Sequence, residues 1–172
     1  MGRQRDNKAT SLVRRGNRKR LRLLLRRHPE LLTSDSAMLI FTAIWHHRGM
    51  LAWLLEQGVS PDCRMGAGGN TPLMGAAAKG NLSTMKLLLK FGANPAALNF
   101  DSENALGYAV TWKQPQSIEL LVAAGADINN MDDSGPEMTQ LDWAELSSWT
   151  EGAQLLRSLG AKRYSELAGQ SS

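Results

Sequence analysis

Cysteine is nearly missing from this sequence. Cys63 stands alone among 172 residues, which excludes an internal disulfide and suits a reducing cytosol. No apolar run reaches the length of about 18 residues that a membrane-spanning helix needs. The opening MGRQRDNKAT is basic but has no apolar stretch behind it, so no secretory signal is read there. Low-complexity tracts are absent, and only residues 168–172, AGQSS, read as a frayed tail. The expectation is a cytoplasmic monomer without a transmembrane segment.

Groupings that carry chemistry are also lacking. His28 sits beside Pro29, and the adjacent His46 and His47 diverge on a helix, with no Cys or carboxylate at ligand spacing. Cys63 has no histidine beside it in sequence. Residues 66–72, GAGGNTP, precede a predicted helix and have the form of an anion cradle, but the Gly-Lys-Ser/Thr of a phosphate loop does not follow. No enzyme, metal or cofactor is expected, and function falls to a surface.

Carboxylates are scarce where cations are dense. Residues 1–30 hold 11 Lys/Arg against 2 Asp/Glu, and the rest hold 9 against 14, so the net +4 conceals a charge dipole. Arg18, Arg22 and Arg26 follow one another at i, i+4 spacing, with Arg15 and Lys19 nearby, and such like-charge pairs each cost a helix roughly 0.2–0.5 kcal/mol. The basic patch of Arg18, Lys19, Arg22 and Arg26 reads first as a solvated cap. An acidic protein partner is the second reading, and a nucleic acid or an anionic membrane surface the third. Nucleic acid is disfavoured because the segment has no aromatic side chain to stack on bases.

What the sequence does have is a pattern that returns. Residues 70–94 read NTPLMGAAAKGNLSTMKLLLKFGAN. Thr71 suits an N-cap, Pro72 a first turn and Gly80 a left-handed stop. Leu82, Met85, Leu88 and Leu89 form one helical face, closed by Gly92. This predicts helices near 71–79 and 82–90, each too short to be stable alone in water. A shift of 33 lays residues 104–127 on 71–94 without a gap, with Leu106 on Leu73, Ala109 on Ala76 and Leu121 on Leu88. A further 35 brings Leu141, Ala144, Leu156 and Gly160 to those places, and 34 backwards brings Leu39, Ala43, Trp53, Leu54, Leu55 and Gly58. A degenerate copy with Gly16-Asn17 at the turn precedes it. The approximate units are 7–33, 34–65, 66–98, 99–131 and 132–167, in one domain over 7–167.

The period, with Thr71-Pro72-Leu73, Ala76-Ala77, Gly80, the leucine run and Gly92-Ala93, resembles the ankyrin repeat. The resemblance implies an all-α solenoid of about five stacked helix-turn-helix units with short hairpin loops. Departures occur. Asn104-Ala105 replaces Thr-Pro, Ser102 the hairpin glycine and Lys113 the turn glycine. Ile40, Met74, Gly107 and Asp142 stand where the family has histidine, and the last unit carries a two-residue insertion after Gly135.

Proteins of this kind bind other proteins along a concave groove of hairpin tips and first helices. The resemblance thus implies a non-enzymatic protein-binding module, of inhibitor, immunity-type or scaffold kind. The two residues after each alanine pair are expected to face that groove, which nominates Arg15, Ile44, Trp45, Lys79, Thr111 and Trp112. Trp and Arg are the residue types most enriched at interface hot spots. Trp53 is expected in the core, and Tyr108 and Trp143 are read as packing residues. The alternative function is an adaptor for nucleic acid or an anionic membrane surface through the basic first unit.

Overall fold

The computed structural model describes residues 2–34, 36–46, 48–130 and 138–169. The insertion around Gly135, His47 and the last three residues lie outside them. Helices α1 (Gly2–Arg14) and α2 (Arg18–Arg27) form the first pair, and the short α3 (Leu31–Ser34) leads into α4 (Ser36–His46) and α5 (Arg48–Glu56). Three similar pairs follow: α6 (Pro72–Ala78) with α7 (Leu82–Lys90), α8 (Ala105–Thr111) with α9 (Pro115–Ala123), and α10 (Gln140–Leu146) with α11 (Thr150–Ser158). A further helix, α12 (Tyr164–Ala168), spans the end of the unit read as 132–167 and the first residue of the stretch read as a tail.

The caps explain why helices of seven to ten residues start where they do. Thr71, Asn104 and Thr139 cap α6, α8 and α10, each side chain accepting from a backbone N–H in the first turn. Asn17 and Asn81 do the same for α2 and α7, while Pro115 opens α9. Between the helices of a pair the chain needs one left-handed residue. Gly80 supplies it at φ +63°, and Lys113 and Ser148 adopt the same conformation at +52° and +54° despite their side chains. Ser102 likewise holds the hairpin position at +60°, so the departures from glycine keep the turn geometry.

The first helices α1, α4, α6, α8 and α10 pack in succession, and each also packs on its own second helix. One continuous core runs through them. Leu73, Leu106 and Leu141 are buried at one repeat position, Ala76, Ala109 and Ala144 at another, and Leu54, Leu88, Leu121 and Leu156 at a third. Trp53 is 4% exposed, as expected of a residue standing in for a core leucine.

Loop side chains tie successive units together. Both Asp62 carboxylate oxygens accept from the Asn94 N–H at 3.1 Å, and Asn129 Oδ1 accepts from the Lys162 N–H at 2.8 Å. Asp62 and Asn129 occupy the same place, four residues after Gly58 and Gly125 respectively. Ala96 stands there in the unit between and has no side-chain acceptor to offer.

The four residues that stand at the histidine position of the ankyrin pattern make different contacts. Ile40 is buried as plain core. Met74 Sδ accepts from the Thr71 N–H at 3.3 Å. Gly107 offers only its N–H, which Asn104 caps at 2.9 Å. Asp142 does most: its Oδ2 accepts from the Thr139 N–H at 2.9 Å, the Thr139 hydroxyl at 2.8 Å and the Tyr164 N–H at 2.8 Å, joining α10 to the approach of α12.

Partial burial alone would raise the Asp142 pKa. The two N–H donors, the Thr139 hydroxyl and nearby Arg163 outweigh it and hold the carboxyl below its ordinary 3.8. A depressed pKa contributes stability that is complete above the unfolded value and is lost as pH falls through the folded one. The stability gap between wild type and Asp142→Asn, read from urea melts, should therefore be constant near neutral pH and close progressively below about pH 4. A gap that widens on acidification would contradict the assignment.

Candidate binding face

The first helices end in a shared geometry, and the expected row falls on it. Lys79, Trp112 and Ser147 are the C-caps of α6, α8 and α10, each followed by the left-handed residue that turns the chain into the second helix. A side chain at such a position leaves the helix end and reaches beyond the packed face. Trp112 is 60% exposed, and Thr111 beside it and Lys79 are exposed too. Leu146, which precedes the last of these caps, is 69% exposed.

Two of the nominated residues behave differently. α4 runs on to His46, whereas α6, α8 and α10 stop at Ala78, Thr111 and Leu146. Ile44, the equivalent of those three end residues, is therefore inside a helix, where it is half-buried and packs on the core. The Trp45 side chain lies outside the described residues, and its backbone is helical rather than a cap. Arg15 is exposed one residue past the end of α1, and lines a groove of its own with Lys8, Arg20 and Arg27.

Trp143 corrects the reading of it as a packing residue. It is 44% exposed and lines a cavity of about 230 Å³ between α8 and α10, together with Gly107, Thr111, Glu103 and Gln140. Tyr108, one unit earlier, does pack: its hydroxyl donates to Asn70 Oδ1 at 2.9 Å and lies 3.4 Å from Asn99 Nδ2. Burial first, and then the Glu103 charge, push the Tyr108 phenol up, so it remains a donor near neutral pH. Buried Asn99 completes this network, donating to Asn70 Oδ1 at 2.8 Å and to Glu103 Oε2 at 3.2 Å. The effect is to fix the hairpin beside the cavity mouth.

The hairpin tips add an aromatic that repeat periodicity could not reveal. Phe100 is 67% exposed, and its N–H donates to the Gly68 carbonyl of the preceding tip at 2.9 Å. Its ring lies over Gly69, where an added Cβ would come within 2.7 Å of it, and the Arg64 guanidinium stands 5.6 Å from the ring centre. Glycine at 69, with φ +66°, is what lets the ring lie flat on the neighbouring tip.

The basic patch is divided. Arg18, Lys19, Arg22 and Arg26 are all exposed, but Arg18 donates to the Gly49 carbonyl and Arg22 sits 5.8 Å over the Trp53 ring, so these two turn toward α5. Cys63 is buried, and burial pushes its thiol up to about 12, far from a nucleophile's range. Among the described residues no group of His, Cys, Asp and Glu could hold a metal ion, and no helix is long and apolar enough to cross a membrane.

Comparison with known proteins agrees with this architecture. A segment of 57 residues, 33% of this chain, is 47% identical to an Arabidopsis thaliana protein described as "Putative E3 ubiquitin-protein ligase XBAT34". The matched part spans 15% of that protein's length. The family profile for ankyrin repeats, in three copies, matches residues 14–132. With capped helix pairs, left-handed turns and a continuous core in the same register, the chain belongs to the ankyrin-repeat family.

Proposed function

We propose that this chain is a non-enzymatic protein-binding module that holds its partner on the side formed by the first helices and hairpin tips, as an inhibitor, immunity-type or scaffold protein. The units are taken at the boundaries read from the sequence. The observation that carries the proposal is exposed apolar side chains on the first helices and a hairpin tip: Trp143 on the wall of the cavity between α8 and α10, Trp112 and Leu146 at the ends of those two helices, and Phe100 on the tip before α8. Large apolar groups gathered on one face, with fixed polar groups beside them, are the usual makings of an interface. Glu103 and the Asn70–Asn99–Tyr108 network supply the fixed polar part. This shifts the centre of the face toward the fourth and fifth helix pairs. Trp112 and Trp143 become the main anchors, and Lys79 sits toward the edge.

The test compares wild type with Trp112→Ala and Trp143→Ala as immobilised baits, followed by affinity measurement on the protein recovered. Each variant should lose about 2 kcal/mol or more of binding free energy, near 30-fold in Kd, while melting within a few degrees of wild type. Unchanged affinity in both variants would place the partner elsewhere on the molecule.

A further inference from the structure

A solenoid unit with a neighbouring unit packed on one side only, as α1 and α2 have among the described residues, turns its other side to water, and polar residues are expected there. The outward side of α1 and α2 is not uniformly polar. On α1 and the residue that follows it, Lys8, Ser11, Leu12 and Arg15 stand at i, i+3, i+4 and i+7, which makes one stripe along the helix and its end. On α2, Arg20, Leu23, Leu24 and Arg27 repeat the spacing. The two stripes together line a groove of about 630 Å³. Leu23 is 53% exposed in it, and Leu12 and Leu24 are half-buried.

Because the chain reverses at Gly16, Arg15 and Arg20 lie at the turn end of the groove and Lys8 and Arg27 at the other, with the leucines between. Arg18 and Arg22 leave α2 toward α5 instead, so the groove opens away from the rest of the solenoid. No carboxylate lines it, and among the described residues no ion pair joins any of its four cations to an acid. Each stripe sets its two cations seven residues apart, roughly 10 Å along the helix.

We propose that this groove binds an acidic amphipathic helix of a partner protein. Its apolar stripe rests on Leu12, Leu23 and Leu24, and its Asp or Glu side chains, one at each end of the stripe, meet the two pairs of cations. A helix with Glu at i and i+7 and Leu at i+3 and i+4 carries the complement of what α1 and α2 display, and would pack as a third helix on the pair. A polyphosphate backbone would satisfy the cations but leave the leucine floor without an apolar partner, and a flat bilayer reaches the rim rather than the floor. This site stands independently of the face around Trp112 and Trp143.

The test uses the full chain and a fluorescein-labelled helical peptide carrying Glu-x-x-Leu-Leu-x-x-Glu, read by anisotropy at about 0.1 M salt. Arg20→Glu with Arg27→Glu, and separately Leu23→Ala, should each raise Kd at least tenfold. The control pair Lys19→Glu with Arg26→Glu makes the same charge change outside the groove and should alter Kd twofold or less. All these positions are exposed, and circular dichroism confirms that each variant keeps its fold. Any of three results would overturn the proposal: no saturable binding, equal losses in the two double variants, or an equal affinity for the peptide with Lys in place of Glu. Duplex DNA or phosphatidylserine vesicles that bind more tightly than the peptide, with no loss on Leu23→Ala, would overturn it as well and assign the cations to polyanions.

Discussion

Replacing Trp53 with alanine is expected to lower the unfolding free energy by about 3–5 kcal/mol, whereas Trp112→Ala is expected to change it by less than about 0.5 kcal/mol. The two tryptophans differ in what surrounds them. Trp53 is 4% exposed within α5 and packs in the core, so truncation removes a large apolar area and leaves a cavity. Trp112 stands at a helix end, 60% exposed, and already meets water. The Trp53 indole N–H has no hydrogen-bond partner among the described residues, so its polar atom contributes no bond that substitution would break. Trp53→Phe should therefore cost less than half of what alanine costs. Thermal and urea melts of the three variants check this, and similar losses at positions 53 and 112 would contradict the distinction between core and face.

Gly80→Val is expected to destabilise the chain by about 2 kcal/mol. The left-handed backbone at φ +63° is one source, since a β-branched residue adopts it poorly. The other is contact, because a Cβ at position 80 would fall 2.3 Å from Gln114 Oε1. That neighbour is the end of a flexible side chain and can give way, though Gln114 Nε2 now donates to the Trp112 carbonyl at 2.9 Å. The displacement would thus reach the helix end that presents Trp112. The converse change, Lys113→Gly, relieves a strained φ of +52° and should stabilise by up to about 1 kcal/mol, less whatever glycine adds to unfolded-state entropy. A Gly80→Val protein as stable as wild type would remove the turn from the account.

The helices were legible because their signals recur. Spacing placed helices near 71–79 and 82–90, and they run over Pro72–Ala78 and Leu82–Lys90. Leu73, Leu88, Leu106, Leu121, Leu141 and Leu156 were assigned to the core by register alone and are buried there. Where the first helix stops on schedule, the residues after the alanine pair are exposed, as at Lys79, Thr111 and Trp112. At Ile44 the helix continues to His46, and a helix end that shifts by two residues leaves that side chain half-buried.

Features that occur once gave no periodic signal. Phe100 over Gly69 depends on a contact between neighbouring hairpin tips that no repeat alignment displays. The ties from Asp62 and Asn129 belong to one repeat position, but Ala96 interrupts the series and hides it. Asp142 shows in the sequence only as a departure from histidine. That it would accept from Thr139 and Tyr164 at once depends on where the chain goes after α11. Tyr108 and Trp143 share the place before the motif alanine and both read as packing from sequence; Tyr108 has Asn70 and Asn99 to hold its hydroxyl, whereas Trp143 lines an open cavity.

On the proposed function, a partner protein covers the side formed by the first helices and hairpin tips. Amide hydrogen exchange of the chain alone and saturated with its recovered partner tests this most directly. The account predicts added protection at residues 100–104, 107–112 and 140–146. Added protection confined to the second helices α7, α9 and α11, with those three segments unchanged, would contradict it.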